Sequence, residues 1–201
     1  KSGDTSRDGR GRVVSMFDRP AAVRRSALIQ SATLDLNVVS RSNSSNWADV
    51  GVFPLLRPWD ESRVSWNRAS SAVAWTIPGA NGIGSDRSDV MLDEQRLDQV
   101  AVWESFDVTS AVRNWVSGAS PNNGVILKEG HGSGNVSYDF ASSEYFDVAL
   151  RPRLTIRFQT VTATPTPSAT TTPTRTPTRT PTRTATPTAS RTSQGCVRPA
   201  A

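Results

Sequence analysis

Residues 57–67 read Arg-Pro-Trp-Asp-Glu-Ser-Arg-Val-Ser-Trp-Asn, and the expected fold is built around this stretch. Pro58 has no amide hydrogen to donate to a neighbouring strand, so it is typical of a strand end or a sheet edge. Trp59 and Trp66 are large enough to anchor the core of a small sheet. Val64 and Trp66 share parity, so in a strand both side chains would point to the same face. The stretch therefore predicts a sheet before it and another after it.

Short alternating apolar runs, separated by turn residues, predict strands on both sides of this stretch. The clearest is 32–38, where every second side chain is apolar. Further strands are predicted at 50–56, 100–106, 125–128, 136–140 and 153–158. Helical spacing appears near 109–116, where Gly118 ends the pattern. We therefore predict an all-β fold: an antiparallel β-sandwich of the jelly-roll type, with one short helix near 109–116.

Composition divides the chain into three segments. Residues 1–25 are polar and arginine-rich, which predicts a poorly ordered or truncated N-terminal segment. Residues 26–160 form the predicted sandwich domain and carry 11 basic and 15 acidic residues. Residues 161–201 contain five arginines, no acidic residue and a repeated Thr-Pro-Thr-Arg, which predicts a disordered, extended spacer. The net charge of +5 belongs to the two ends, so nucleic-acid binding by the domain is disfavoured.

The spacer and the scarcity of cysteine indicate the setting of the protein. Cys196 is the only cysteine, so no disulfide can form within the chain. No run of 18 apolar residues is present, and we predict no membrane insertion. Because the chain begins at Lys1, we expect a fragment or a processed form. We expect it to be secreted or displayed at a cell surface, beside other domains of a larger parent chain.

Six motifs occur in order between residues 26 and 158. They are Ser31-Ala-Thr-Leu-Asp-Leu36, Arg57-Pro-Trp-Asp-Glu-Ser62 with Ser65-Trp-Asn-Arg-Ala69, Ser105-Phe-Asp-Val-Thr-Ser-Ala-Val-Arg-Asn-Trp115, Asn123-Gly-Val-Ile-Leu127, Phe140-Ala-Ser-Ser-Glu144 and Arg151-Pro-Arg-Leu154. In this order they resemble the DNRLRE-domain family, which is akin to carbohydrate-binding module family ninety-six. The resemblance implies a β-sandwich from a secreted or surface bacterial protein, sometimes found beside polysaccharide lyases. Residues 13–25 match the opening segment of that family poorly.

The six tryptophans are the main candidates for sugar recognition. An indole face can stack on the C–H face of a pyranose while polar neighbours bind its hydroxyls. Three are assigned to the core: Trp59, Trp66 and Trp115. Three are predicted to be exposed and to bind ligand: Trp47, Trp75 and Trp103. Core packing is the alternative for each of them.

An acidic cluster in the long connection 67–98 is a candidate metal site. Its predicted ligands are Asp86, Asp89 and Asp93, with Glu94 beside them. Calcium prefers about six to eight oxygen ligands on a flexible loop. The spacing matches no EF-hand loop, and a solvated acidic loop is the alternative.

We predict no catalytic residues. Two pairs of carboxylates have the chemistry of an acid and a base, Asp60 with Glu61 and Glu104 with Glu144, but surface charge explains them equally well. His131 is the only histidine and lies in a glycine-rich segment, 130–135, predicted as an exposed hairpin tip.

These observations favour a non-catalytic polysaccharide-binding or adhesion module of a secreted or cell-surface bacterial protein. Its expected ligand is a polysaccharide such as an acidic plant or algal glycan. One alternative is a purely structural spacer domain of a large surface protein. A second alternative is a polysaccharide lyase or hydrolase.

Overall fold

The computed structural model describes the backbone of residues 12–15, residue 23 and residues 27–160. The described residues all belong to one compact unit, which extends to residue 162. The predicted spacer, 161–201, lies outside the described residues.

The described part of the chain contains eight strands and one α-helix. The strands are β1 (Arg12–Ser15), β2 (Ala27–Arg41), β3 (Ala48–Pro54), β4 (Asp93–Leu97), β5 (Val102–Asp107), β6 (Val125–Gly132), β7 (Tyr138–Phe140) and β8 (Arg153–Thr160). The helix α1 spans Thr109–Ser117, and a 3₁₀ turn spans Val148–Leu150.

The strands form two antiparallel sheets. Sheet A has the order β1-β6-β3-β4. Sheet B is built on β2, which pairs with β5 along one edge and with β7 and β8 along the other. The predicted all-β antiparallel sandwich with one short helix is confirmed.

The main core lies between the two sheets. Every second side chain of β2 enters it, from Ala32 through Leu34 and Leu36 to Val38. Because strand side chains alternate between faces, the intervening polar residues of β2 point away from this core. Sheet A contributes Val50 and Val52 of β3 and Val125 and Leu127 of β6.

Helix α1 covers part of this core with one apolar face. Val112 and Val116 are buried in it, together with Val108 at the helix start. Arg113 fixes the helix to β2, because its Nε donates a hydrogen bond of 2.9 Å to the carbonyl oxygen of Ile29. Gly118 ends the helix with a φ of 82°, a conformation that favours glycine. The predicted helix near 109–116 is therefore confirmed.

The segment between β3 and β4 forms a satellite core on the outer face of sheet A. The satellite core consists of Leu55, Trp59, Ala69, Trp75, Ala80 and Ile126. The Nε1 of Trp59 donates a hydrogen bond of 2.8 Å to the carbonyl oxygen of Asn123, next to β6. Residues 57–67 contain turns and bends rather than the strand that parity suggested. The stretch packs on a sheet but is not part of one.

Two further sequence predictions are wrong in their secondary structure. Residues 93–97 form β4, although they fall inside the predicted connection 67–98. The sequence lacks the alternation of apolar residues that predicts a strand, because this polar edge strand buries only Leu97. Residues 130–135 are not a hairpin tip, because β6 belongs to sheet A and β7 to sheet B. The connection after Gly132 instead crosses from one sheet to the other.

The described residues of the N-terminal segment take part in the sandwich. Strand β1 pairs with β6 from Arg12 opposite Lys128 to Ser15 opposite Val125. Val23 is buried in the main core. The sandwich thus includes described residues that precede the boundary predicted at residue 26.

Among the described residues, no helix is both long and apolar enough to cross a membrane.

Truncating Leu34 tests the placement of the main core. Leu34 is 1% exposed, so Leu34→Ala should lower the free energy of unfolding by about 2–5 kcal/mol through lost burial and a residual cavity. Leu28 lies on the same strand but is 57% exposed, so Leu28→Ala should change it by less than about 0.5 kcal/mol. Urea denaturation measures both, and equal losses would contradict the assigned faces of β2.

Candidate functional site

The outer face of sheet B carries a continuous set of polar side chains and one tryptophan. The register places Asp35 of β2 between Ser105 of β5 and Arg153 of β8. One step further along β2, Asn37 lies opposite Trp103. We define the outer face of sheet B by nine residues: Thr33, Asp35, Asn37, Trp103, Ser105, Asp107, Arg153, Thr155 and Arg157.

A stacked arginine and tryptophan span this face. The guanidinium carbon of Arg153 lies 3.8 Å from the centroid of the Trp103 ring, although the two strands flank β2 on opposite sides. A guanidinium over an indole is attracted by the ring quadrupole. The stack orients Arg153 and occupies one face of the half-buried indole. Within the described residues, no carboxylate forms an ion pair with Arg153.

Beside the stack, Asp35 supplies a half-buried carboxylate. The hydroxyl of Ser105 donates a hydrogen bond of 2.6 Å to its Oδ1. Thr33 and Thr155 face each other on the same side of the sheet. The outer face of sheet B therefore combines an oriented cation with hydroxyl and carboxylate groups.

A second arginine–tryptophan stack lies on the outer face of sheet A. The guanidinium carbon of Arg96 is 3.8 Å from the centroid of the Trp47 ring. Asp49 already binds this guanidinium, with N–O distances of 2.8 and 3.2 Å. The hydrogen bond from Arg96 lowers the pKa of Asp49 below its ordinary value. Trp47 and Trp103 lie on opposite faces of the sandwich and do not form one site.

Trp75 is buried, and the prediction that it binds ligand from an exposed position is wrong. It is 4% exposed within the satellite core, and its Nε1 donates a hydrogen bond of 3.0 Å to the carbonyl oxygen of Ser65. Trp75 comes just before the glycine-rich part of the connection 67–98, which suggested an exposed position, and its packing with Leu55 and Ile126 depends on contacts between distant residues.

The three tryptophans assigned to the core have different environments. Trp59 is buried as predicted, while Trp66 and Trp115 are half-buried. Gly79 has a φ of 77°, and a Cβ there would lie 2.5 Å from the Trp66 ring. Trp66 therefore packs closely on the Gly79 backbone rather than in the middle of a core.

The predicted calcium site does not form. The carboxylate of Asp86 is fully buried and accepts hydrogen bonds from Arg57 Nε at 2.8 Å and from the amides of Thr76, Ile77 and Gly82 at 3.0 to 3.2 Å. Burial alone would raise the pKa of Asp86, but the hydrogen bonds from Thr76, Ile77 and Arg57 lower it below its ordinary value. Asp86 is a structural carboxylate that holds the segment 76–87 together.

The other two predicted calcium ligands have different positions. Asp93 accepts a hydrogen bond of 2.8 Å from the Asp107 amide, so it ties β4 to β5 at the edge of the sandwich. Asp89 is exposed. In the part of the chain that the structure describes, no three His, Cys, Asp or Glu residues are grouped to hold a metal ion.

The carboxylate pairs considered for catalysis occupy unlike environments. Glu104 lies opposite Leu36 on β2, so it points to the inner side of sheet B, whereas Glu144 is exposed in the loop after β7. Burial, and then the charge of Asp98, raise the pKa of Glu104. Asp60 accepts hydrogen bonds from the backbone and hydroxyl of Ser62 in a turn.

Arg153 is a site residue that the prediction of exposed tryptophans did not include. A signal for it was present, because Arg153, Thr155 and Arg157 alternate with Leu154, Ile156 and Phe158. This alternation predicts that both arginines share the solvent side of one strand. Their contact with Trp103 depends on the order of strands, which the alternation does not indicate.

These features define a β-sandwich module in which the outer face of sheet B carries one tryptophan and charged side chains of both signs. Comparison with known protein families matches residues 3–156 to the disaggregatase related repeat domain. The match spans more than half of the chain, so the chain belongs to this family. No curated protein matches the chain. The resemblance to the DNRLRE-domain family stays a prediction.

Replacing Asp86 tests its structural role. Asp86→Asn removes the negative charge to which Arg57 and three amides donate hydrogen bonds. It should lower the free energy of unfolding by about 3 kcal/mol. The matched change Asp89→Asn, at an exposed carboxylate, should alter it by less than about 0.5 kcal/mol. Urea denaturation at neutral pH measures both. Equal effects, or stabilisation of the wild-type protein by added calcium, would contradict the assignment.

Neutralising Glu104 should stabilise the protein in a pH-dependent way. A raised pKa means that the folded state holds the proton more tightly, so stability falls as the pH rises from about 4 through the raised value. Glu104→Gln should therefore raise the melting temperature at pH 7 and leave it nearly unchanged at pH 4. Glu144→Gln, at an exposed site, provides the control. A constant difference across this range would rule out the titration of Glu104 as its cause.

Proposed function

We propose that this module binds an acidic polysaccharide on the outer face of sheet B, with Arg153 as the anchor for a carboxylate or sulfate of the ligand. The observation that carries the proposal is the guanidinium of Arg153, held 3.8 Å from the Trp103 ring centroid without an ion-pair partner among the described residues.

The geometry suits an anionic sugar for a physical reason. A guanidinium matches a carboxylate through two parallel N–H donors, and such pairs are stronger than neutral hydrogen bonds. Stacking on Trp103 orients the guanidinium before the ligand arrives, so less side-chain freedom is lost on binding. Arg157 adds a second positive charge on the same side of β8.

The neighbouring polar groups fit the rest of a sugar ring. Asp35 accepts hydrogen bonds, as does Ser105, whose hydroxyl hydrogen is donated to Asp35, while Thr33 and Thr155 both donate and accept them. A few oriented polar groups beside a larger contact surface are typical of ligand sites. The outer face of sheet A is less suited to bind an acidic sugar, because Asp49 already neutralises Arg96.

We further propose that the module is non-catalytic and acts in a secreted or cell-surface protein. The predicted Thr/Pro spacer supports display away from a surface, because a proline-rich chain is extended. The name of the family includes the word repeat, which favours a second candidate function: a structural spacer that recurs in a larger chain. A lyase or hydrolase would release new reducing ends from the polymers tested below.

Binding to acidic polymers tests the proposal. In affinity electrophoresis at low salt, the wild-type protein should be retarded by alginate or pectin and not by neutral cellulose derivatives. Arg153→Ala should weaken this binding about tenfold or more, because a charged hydrogen bond contributes about 1.5–3 kcal/mol. Arg153→Lys should keep part of the affinity, since the positive charge remains but the two parallel N–H donors of the guanidinium are lost.

Arg96→Ala is the matched control, because Arg96 makes the same stack on the opposite sheet. It should leave binding unchanged. Absence of retardation on every polymer would favour the spacer function, and equal losses for the two alanine variants would contradict the assignment to sheet B.

A further inference from the structure

The loop between β7 and β8 presents an exposed aromatic tip. Phe146 is 84% exposed, and Val148 is 68% exposed. The ring centroids of Tyr145 and Phe146 are 4.6 Å apart, with an interplanar angle of 39°. Exposed apolar side chains grouped on one loop often mark a site of contact with a ligand or partner.

Both ends of this loop are attached beside the outer face of sheet B. The amide of Ala141, at the start of the loop, donates a hydrogen bond of 2.9 Å to the carbonyl oxygen of Asn37. Asn37 is the residue of β2 that lies opposite Trp103. The chain returns at Arg153, which lies opposite Asp35. The loop therefore begins and ends at residues that neighbour β2, beside the Arg153–Trp103 stack.

A hydrogen bond ties the tip to the chain just before β8. The Nε of Arg151, two residues before Arg153, donates a hydrogen bond of 2.8 Å to the carbonyl oxygen of Tyr145. Tyr145 and its neighbour Phe146 are therefore held close to the start of β8, where Arg153 lies.

The tip is held by local hydrogen bonds. The amide of Tyr145 donates to the carbonyl oxygen of Ser142 at 3.1 Å, and Ser142 Oγ accepts from the Glu144 amide at 3.2 Å. Asp147 Oδ1 accepts from the Ala149 amide at 2.9 Å and begins the 3₁₀ turn. A ring on such a loop loses less freedom on binding than a ring on a loop without internal bonds.

We propose that Phe146 is a stacking platform of the polysaccharide site, which rests on the function proposed above. Arg153 occupies one face of the Trp103 ring, so this indole is used in part to orient the guanidinium. Phe146, in contrast, leaves most of its ring open to solvent. The C–H face of one pyranose stacks on Phe146 while Arg153 binds the acidic group of the same chain.

Phe146→Ala tests this role cleanly, because an exposed side chain contributes little to folding. The variant should keep the wild-type melting temperature and bind alginate oligosaccharides roughly three- to tenfold more weakly in isothermal titration calorimetry. Phe146→Tyr should restore the affinity. Leu28→Ala, at an exposed apolar residue near the start of β2 and outside the loop, should leave it unchanged.

Salt separates the two contributions. Raising the ionic strength screens the charge of Arg153, so the loss caused by Arg153→Ala should shrink in high salt. The loss caused by Phe146→Ala should persist, because stacking does not depend on charge. A loss that disappears in salt would overturn the stacking role.

The remaining outcomes distinguish the two proposals. If Arg153→Ala weakens binding and Phe146→Ala does not, the role of Phe146 is overturned and the proposed function stands. If the wild-type protein binds no acidic polymer, both are overturned. If Phe146→Ala abolishes self-association in analytical ultracentrifugation and leaves sugar binding intact, the tip contacts a second copy of the module and the stacking role is overturned.

Discussion

The pairing of β2 along both of its edges is the constraint on which the rest of the structure depends. This strand joins β5, β7 and β8 into one sheet, so its alternation of side chains determines which residues of all four strands are buried. Leu34 and Leu36 enter the main core, and Asp35 between them takes the opposite side. A shift of register by one residue would exchange the core with the outer face. Folding and the candidate site therefore depend on the same pairing.

Arginine contributes to this protein in two different ways. Arg96 and Arg153 each lie 3.8 Å from the centroid of a tryptophan ring, on opposite sheets. Asp49 forms an ion pair with Arg96, so the charge of this arginine is neutralised within the protein. Arg153 has no ion-pair partner among the described residues. Two stacks that look alike in composition thus differ in whether the protein itself neutralises the guanidinium. Each arginine lies opposite an aspartate of the neighbouring strand, but Asp49 binds Arg96, whereas Asp35 accepts a hydrogen bond from Ser105.

The satellite core shows where local sequence is a poor guide. The residues that follow Trp75 are first glycine-rich and then acidic, which indicates an open, solvated connection. In the structure Trp75 packs with Ile126 of β6, and Asp86 satisfies three amides and Arg57. A buried carboxylate is stable only with such partners, and they are brought together by the turns of the whole segment. The cluster of carboxylates suggested a metal site, because carboxylates that bind calcium and carboxylates that bind amides look the same in sequence.

The sequence by itself determined the fold class, the short helix and the inward faces of β2 and β8, because strand and helix periodicities are local properties of the chain. It also indicated that Arg153 and Arg157 share one side of a strand. Only the tertiary structure decided that β8 and β5 flank β2, which places Arg153 over Trp103 and the 141–152 loop beside them. Strand order and the crossing from β6 to β7 depend on contacts between residues far apart in the chain. The alternation of apolar and polar residues along a strand does not indicate which strands become neighbours.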